Sequence, residues 1–114
     1  MLLGIGPEGH TASLFPGSKT LLEKKHTVAA PWVEKFRTFR ITMTPPVIAT
    51  ACEVMVLAAG RGKAEVVART LGSEKRPTYE LPIRLVRARA GRTLWLLDRA
   101  AGGELEKARD SAKK

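Results

Sequence analysis

The feature that most constrains the fold of this chain is a strand, turn and helix unit at its middle. Glu53 to Ala59 is a nearly unbroken apolar run of strand length, and Gly60-Arg61-Gly62 closes it. Lys63 to Leu71 then places Ala64, Val67, Ala68 and Leu71 on one helical face, with Gly72 as the stop. An apolar run of that length bounded by glycine predicts a buried strand, and a recurrence every three to four residues predicts an amphipathic helix. A second pair precedes it. Arg40-Ile41-Thr42-Met43-Thr44 alternates and is rich in β-branched residues, and Pro45-Pro46 can open a helix through Ala51.

The remaining segments extend the same pattern. Met1 to Ile5 is a short apolar run interrupted by glycine, as the end of a buried strand would be, and Arg92 to Leu97 is a further strand. Pro16-Gly17 marks a turn, and Thr20-Leu21-Leu22-Glu23 has capping-box spacing for a brief helical turn. His26 to Val33 is apolar but contains Pro31, which restricts it to a sheet edge. Thr78 to Pro82 reads as a loop, Leu81 to Val86 as a short helix, and the charged residues from Gly102 onward as a fraying tail. Strands alternating with helices predict an α/β fold with a largely parallel sheet. Ligands in such sheets gather at the carboxyl ends of the strands, where the glycine-rich start and the Gly60 loop would both lie.

The 114 residues suffice for one domain with one core, without disulfides or metals to support it. The single cysteine, Cys52, lies between two apolar stretches, which predicts a buried, inert thiol and agrees with a reducing cytoplasm. No window reaches the length of a membrane span. A formal net charge of +9 attracts anions, among them nucleic acid, acidic lipid and phosphorylated metabolites. Aromatics make up only 5% of the chain and scarcely interleave with the basic residues, so a stacking platform for single-stranded nucleic acid is disfavoured.

The chemistry concentrates between Gly4 and Pro16. Gly4-x-Gly6-x-x-Gly9 matches a dinucleotide-binding fingerprint, but that site needs a long helix directly after the glycines. Pro7 inside the loop and Pro16 just beyond it deny such a helix. What remains is a turn that lets backbone approach a ligand, followed by an acid and an imidazole two residues apart. In an extended segment Glu8 and His10 would face the same way, the carboxylate orienting the ring while the ring accepts a proton from water. Thr11 and Ser13 carry hydroxyls that can bond a ligand or cap the next turn, capping being the commoner use. Glu8, His10 and distant His26 form no compact metal motif, and no cofactor is implied.

Gly4 to Gly17 is similar to the G-x-G-x-[DE]-G-H-T-A-S-L-F-P-G pattern of the glucosamine-6-phosphate isomerase/6-phosphogluconolactonase superfamily. Thr11-Ala12-Ser13-Leu14-Phe15-Pro16 resembles the lactonase branch, whereas the related deaminases continue with Ile-Ala-Phe-Asn-Glu-Pro. The resemblance continues through Ala30-Pro31-Trp32-Val33, Arg40 to Thr44, Gly60-Arg61-Gly62-Lys63-Ala64 and Leu81-Pro82, and ends at Leu94-Trp95-Leu96-Leu97-Asp98. Two departures stand out: Glu8 replaces the commoner aspartate, and Arg87-Ala88-Arg89-Ala90-Gly91 lacks the proline of the family's R-P-x-x-G.

The resemblance implies that residues 1–101 are the C-terminal part of a doubly wound, Rossmann-like lactonase/isomerase domain, with 102–114 as a charged tail. It implies hydrolysis of 6-phosphoglucono-δ-lactone without a cofactor or metal, His10 acting as general base and Glu8 holding it. Gly6, Gly9, Thr11, Arg40 and Lys63 would bind substrate; Lys63 matches a family lysine suited to the phosphate, and Arg40 is open between phosphate, carbonyl and a structural pairing. A phosphosugar deaminase or a basic binding module are the alternative readings. Family members also carry a Gly/Ser-rich phosphate loop and an Asp-Glu-Arg motif in an N-terminal half, and neither pattern occurs here. The expectation is therefore a chain that needs a partner half or self-association, and that alone folds poorly or only in part and hydrolyses the lactone weakly or not at all.

Overall fold

The computed structural model describes residues 1–72, 77–86 and 91–112. The apolar start forms β1 (Leu2–Leu3). A single 3-10 turn at Lys19–Leu22 follows, and its cap is Ser18, whose Oγ accepts the Thr20 N–H at 3.3 Å. The box expected between Thr20 and Glu23 does not form. Glu23 instead ends the turn, and its carboxylate accepts the N–H groups of Lys25 and His26 at 2.9 Å each.

His26 to Val33 divides around Pro31, which has no N–H to donate to a ladder. The pieces are β2 (Val28–Ala29) and β3 (Trp32–Val33). β3 pairs antiparallel with β4 (Thr38–Phe39), and β2 with β5 (Thr42–Met43). The strand expected over Arg40 to Thr44 is thus only two residues long. Thr44 precedes α1 (Pro45–Thr50), which begins at the two prolines as expected, since proline's missing N–H costs nothing in a helix's first turn.

The central unit appears as read: β6 (Glu53–Ala58), a 3-10 turn at Arg61–Lys63, and α2 (Ala64–Leu71). A 3-10 turn at Pro82–Leu85 leads towards β7 (Arg92–Leu97), and α3 (Arg99–Ala112) ends the described chain. The main sheet has the order β1-β6-β7 with both pairings parallel, Leu2 opposite Met55 and Met55 opposite Leu94. The α/β, parallel-sheet expectation is met.

Alternation along the strands sorts the two faces. Leu3, Val54, Val56 and Ala58 are buried in one cluster with Ile48 of α1, Val66 and Val67 of α2, Ala101 of α3, and Leu14, Leu81 and Ile83 from the loops. The other face leaves Leu2, Leu57 and Leu96 exposed at 66%, 45% and 43%. Parallel sheets are ordinarily covered on both sides, so this open apolar face is unusual.

Three expectations are corrected. The tail expected to fray from Gly102 belongs to α3, because the Asp98 carboxylate caps the Ala101 N–H at 2.8 Å and Ala101 packs into the core with Leu105 beside it. Cys52 is exposed, because it falls in the bend between α1 and β6 and outside both apolar elements. The buried stripe of α2 is Ala64, Val66 and Val67, with Leu71 turned outward at 39% exposure. Among the described residues no helix is long and apolar enough to cross a membrane.

Candidate active site in the Gly4 to Pro16 loop

The loop leaves the carboxyl end of β1 and closes on itself. Gly6 N–H donates to His10 O at 2.8 Å, and Gly9 N–H donates to Gly6 O at 2.9 Å. Gly9 has φ 86°, in the region that disfavours side chains, and an added methyl there would lie 2.5 Å from Leu81 Cδ2. Ile83 N–H donates to Gly9 O at 2.9 Å, so the Pro82–Leu85 turn clamps the loop from outside.

Glu8 and His10 are therefore neighbours for a reason other than the one expected. The segment is a tight turn and not an extended strand, and the pair meets because the backbone folds back between them. Thr11 is 1% exposed, and its Oγ1 donates to Gly4 O at 2.7 Å. That hydroxyl fastens the loop to the strand end and does not face a cleft. Ser13 is anchored too, its N–H donating to Thr42 Oγ1 at 3.0 Å.

At the centre, His10 Nδ1 is hydrogen-bonded to Glu8 Oε1. A carboxylate accepts and does not donate, so Nδ1 carries the hydrogen, and in the neutral ring Nε2 is the nitrogen with the lone pair. Lys35 Nζ approaches the same Glu8 oxygen at 3.5 Å. Burial alone would raise the Glu8 carboxyl; the bond from its own backbone N–H, the His10 side chain and the Lys35 charge outweigh burial and hold it below the ordinary 4.5. Gly6 leaves space for the ring: a methyl on it would lie 2.0 Å from His10 Nδ1 and 2.1 Å from Cε1. Phe15 stacks on the imidazole, with centroids 4.3 Å apart and planes 23° apart.

Cations surround this dyad. Lys63 follows β6 and the Gly60 turn, and its Nζ donates to Ile5 O at 2.5 Å, at the end of β1 and next to Gly6. An ammonium carries three hydrogens, and this bond uses one of them. The Gly60 turn is itself held, its N–H donating to Asp98 Oδ1 and Oδ2 at 3.1 and 3.0 Å. Arg40 is exposed, with its guanidinium 4.4 Å from the centroid of Phe36, and the Phe36 ring meets Phe15 edge-on at 5.9 Å. A cleft of about 620 Å³ opens beside Glu8 and Phe15, bounded by Pro16, Lys19, Trp32 and Lys35.

The fold thus gathers Gly6, Glu8, Gly9, His10 and Lys63 at the sheet's carboxyl edge, with Arg40 further out beyond the Phe15 and Phe36 rings. Sequence reasoning missed three participants. Lys35 lies in a hairpin whose contact with Glu8 is long-range and has no local signal. Phe15 was quoted only as part of a motif. Asp98 was legible in principle, as an aspartate directly before a helix, but the tail was expected to be unstructured. Among the described residues no group of three or more His, Cys, Asp or Glu side chains could hold a metal. The departure at Arg87 to Ala90 lies outside the described residues.

Residues 1–95 match the family model described as glucosamine-6-phosphate isomerases/6-phosphogluconolactonase. The chain is 41% identical over 103 residues to the 6-phosphogluconolactonase of Rattus norvegicus, covering 89% of this chain and 38% of that protein. It is 44% identical over 108 residues to the 6-phosphogluconolactonase of Mycobacterium tuberculosis, covering 91% of this chain and 41% of the relative. The solved 6-phosphogluconolactonase of Trypanosoma brucei superposes with a TM-score of 0.76 at 34% identity, over 91% of this chain and 41% of that one. The chain spans about two-fifths of the length of these relatives.

Proposed function

Since the chain belongs to the glucosamine-6-phosphate isomerase/6-phosphogluconolactonase family, we propose that it contributes the base-bearing half of an active site that hydrolyses 6-phosphoglucono-δ-lactone. The observation that carries this reading is the Glu8–His10 pair at the carboxyl edge of the sheet, with Nδ1 engaged by the carboxylate.

Hydrolysis follows from that arrangement. Water attacks the lactone carbonyl while His10 Nε2 removes its proton, and Glu8 steadies the resulting imidazolium. The tetrahedral intermediate then collapses, the ring C–O bond breaks, and the imidazolium returns the proton to the departing oxygen. Water has been added across the ester, and the base is restored. The phosphate at the far end is held by cations, with Lys63 assigned to it and Arg40 and Lys35 raising the positive potential at the rim. Gly6 and Gly9 contribute by shape, Gly6 leaving room for the His10 ring and Gly9 for Leu81.

The open face at Leu2, Leu57 and Leu96 belongs to the same proposal: in the active enzyme it is covered, by further polypeptide or by a second copy. The cytoplasm is the compartment proposed, a single cysteine offering no disulfide framework that would call for an oxidising one. The test is acid release from the lactone at constant pH, above the spontaneous rate, by the chain and by His10→Ala. Release that disappears in the variant supports the reading; ammonia release from glucosamine 6-phosphate in its place would overturn it.

A further inference from the structure

We propose that Phe15 is a positioning residue for His10, holding the imidazole by its face so that Nδ1 stays on Glu8 and Nε2 stays aimed at the attacked carbonyl. This rests on the reading of His10 as the base.

The ring of His10 meets three restraints of different kinds. Glu8 takes Nδ1 by a hydrogen bond, and the Gly6 backbone lies against Nδ1 and Cε1 so closely that no side chain fits there. Neither one alone holds the tilt of the ring, because a single hydrogen bond leaves rotation about its own axis. Phe15 supplies the missing restraint by stacking at 4.3 Å with planes 23° apart. Offset stacking of this kind adds to plain burial, and so favours one ring orientation over others of equal contact area.

Phe15 is itself braced. Phe36 meets it edge-on at 5.9 Å and 72°, and Phe36 belongs to the 3-10 turn Glu34–Phe36 that also presents Lys35 to Glu8. The same hairpin therefore steadies both partners of the dyad, Phe15 through an aromatic edge and Glu8 through a charge. Phe15 touches no reacting atom in this scheme and acts only through His10, whose alignment controls the rate.

The chain has two histidines, which makes the test specific. His26 is bonded to Glu23 at 3.1 Å, and no aromatic ring among the described residues stacks on it. In proton spectra of the chain, the carbon-bound ring protons of His10 should lie upfield of those of His26, and its Nδ1–H should appear far downfield and exchange slowly. Phe15→Leu keeps an apolar side chain but no ring. It should abolish the upfield displacement, broaden the Nδ1–H signal, and lower kcat for the lactone roughly 10-fold or more with little change in KM. Phe15→Tyr should restore all three. An undisplaced His10 in the parent chain, or an unchanged Nδ1–H signal and kcat in Phe15→Leu, would overturn the proposal. The parent chain alone, as half of a site, need not turn the lactone over, and the Nδ1–H signal then decides whether Phe15 positions the ring; ammonia release from glucosamine 6-phosphate would overturn the functional reading instead.

Discussion

Gly6 and His10 show how closely chemistry and backbone are joined at the scale of single residues. The ring lies where a Gly6 side chain would be, at 2.0 Å from the position of an added methyl. Gly6→Ala therefore displaces a side chain at the site and not the core. Turnover should fall on the order of 100-fold, the effect of a misplacement of about 1 Å, while the melting temperature changes little. A parallel loss of both would mean that Gly6 serves the fold and not the imidazole. The sequence pointed to His10 and Glu8 because an acid and an imidazole flanking a glycine are visible in a line of text. It could not show how they meet, since the turn depends on hydrogen bonds from Gly6 and Gly9 and on the clamp from Ile83.

Among the elements, those with a strong local pattern were readable: β6, β7, α1 and α2 lie within a residue or two of where periodicity and punctuation put them. The strands around Pro31 were blurred, because two-residue strands carry too few positions for alternation to show. The C-terminal helix was missed for a nearby reason. Its composition is charged and includes Gly102 and Gly103, so its order depends on tertiary packing and on one cap. Asp98 carries that cap and also holds the Gly60 turn that presents Lys63. Asp98→Ala should destabilise the fold by about 1 kcal/mol from the cap alone, a drop in Tm of roughly 4–8 °C by thermal denaturation. Asp98→Asn, which caps as well, should recover most of it. An unchanged Tm in the alanine variant would remove Asp98 from this role.

At the scale of the whole molecule, two carboxylates make stability depend on acid. The N–H groups of His26 and Lys25, and then the His26 ring, hold Glu23 down to about 2 from the ordinary 4.5, and Glu8 is lowered too. A carboxyl lower in the folded chain than in the unfolded one stabilises the fold fully above about 4.5, and loses that contribution as the pH falls towards 2. Thermal scans should show Tm falling through this window, and less steeply in Glu23→Gln; a Tm that rises on acidification would contradict the assignment. The sheet raises a separate question of scale. One face is packed by α2 and α3 and the other exposes leucines, whereas parallel sheets are ordinarily covered on both faces.

Whether His10 is the base of a lactone hydrolase is decided by a paired rate measurement. Acid release from 6-phosphoglucono-δ-lactone is followed for the parent chain and for His10→Ala under identical conditions, each corrected for spontaneous ring opening. Catalysed release should fall by about 10²- to 10⁴-fold in the variant with KM nearly unchanged. A variant that hydrolyses the lactone as fast as the parent would contradict it.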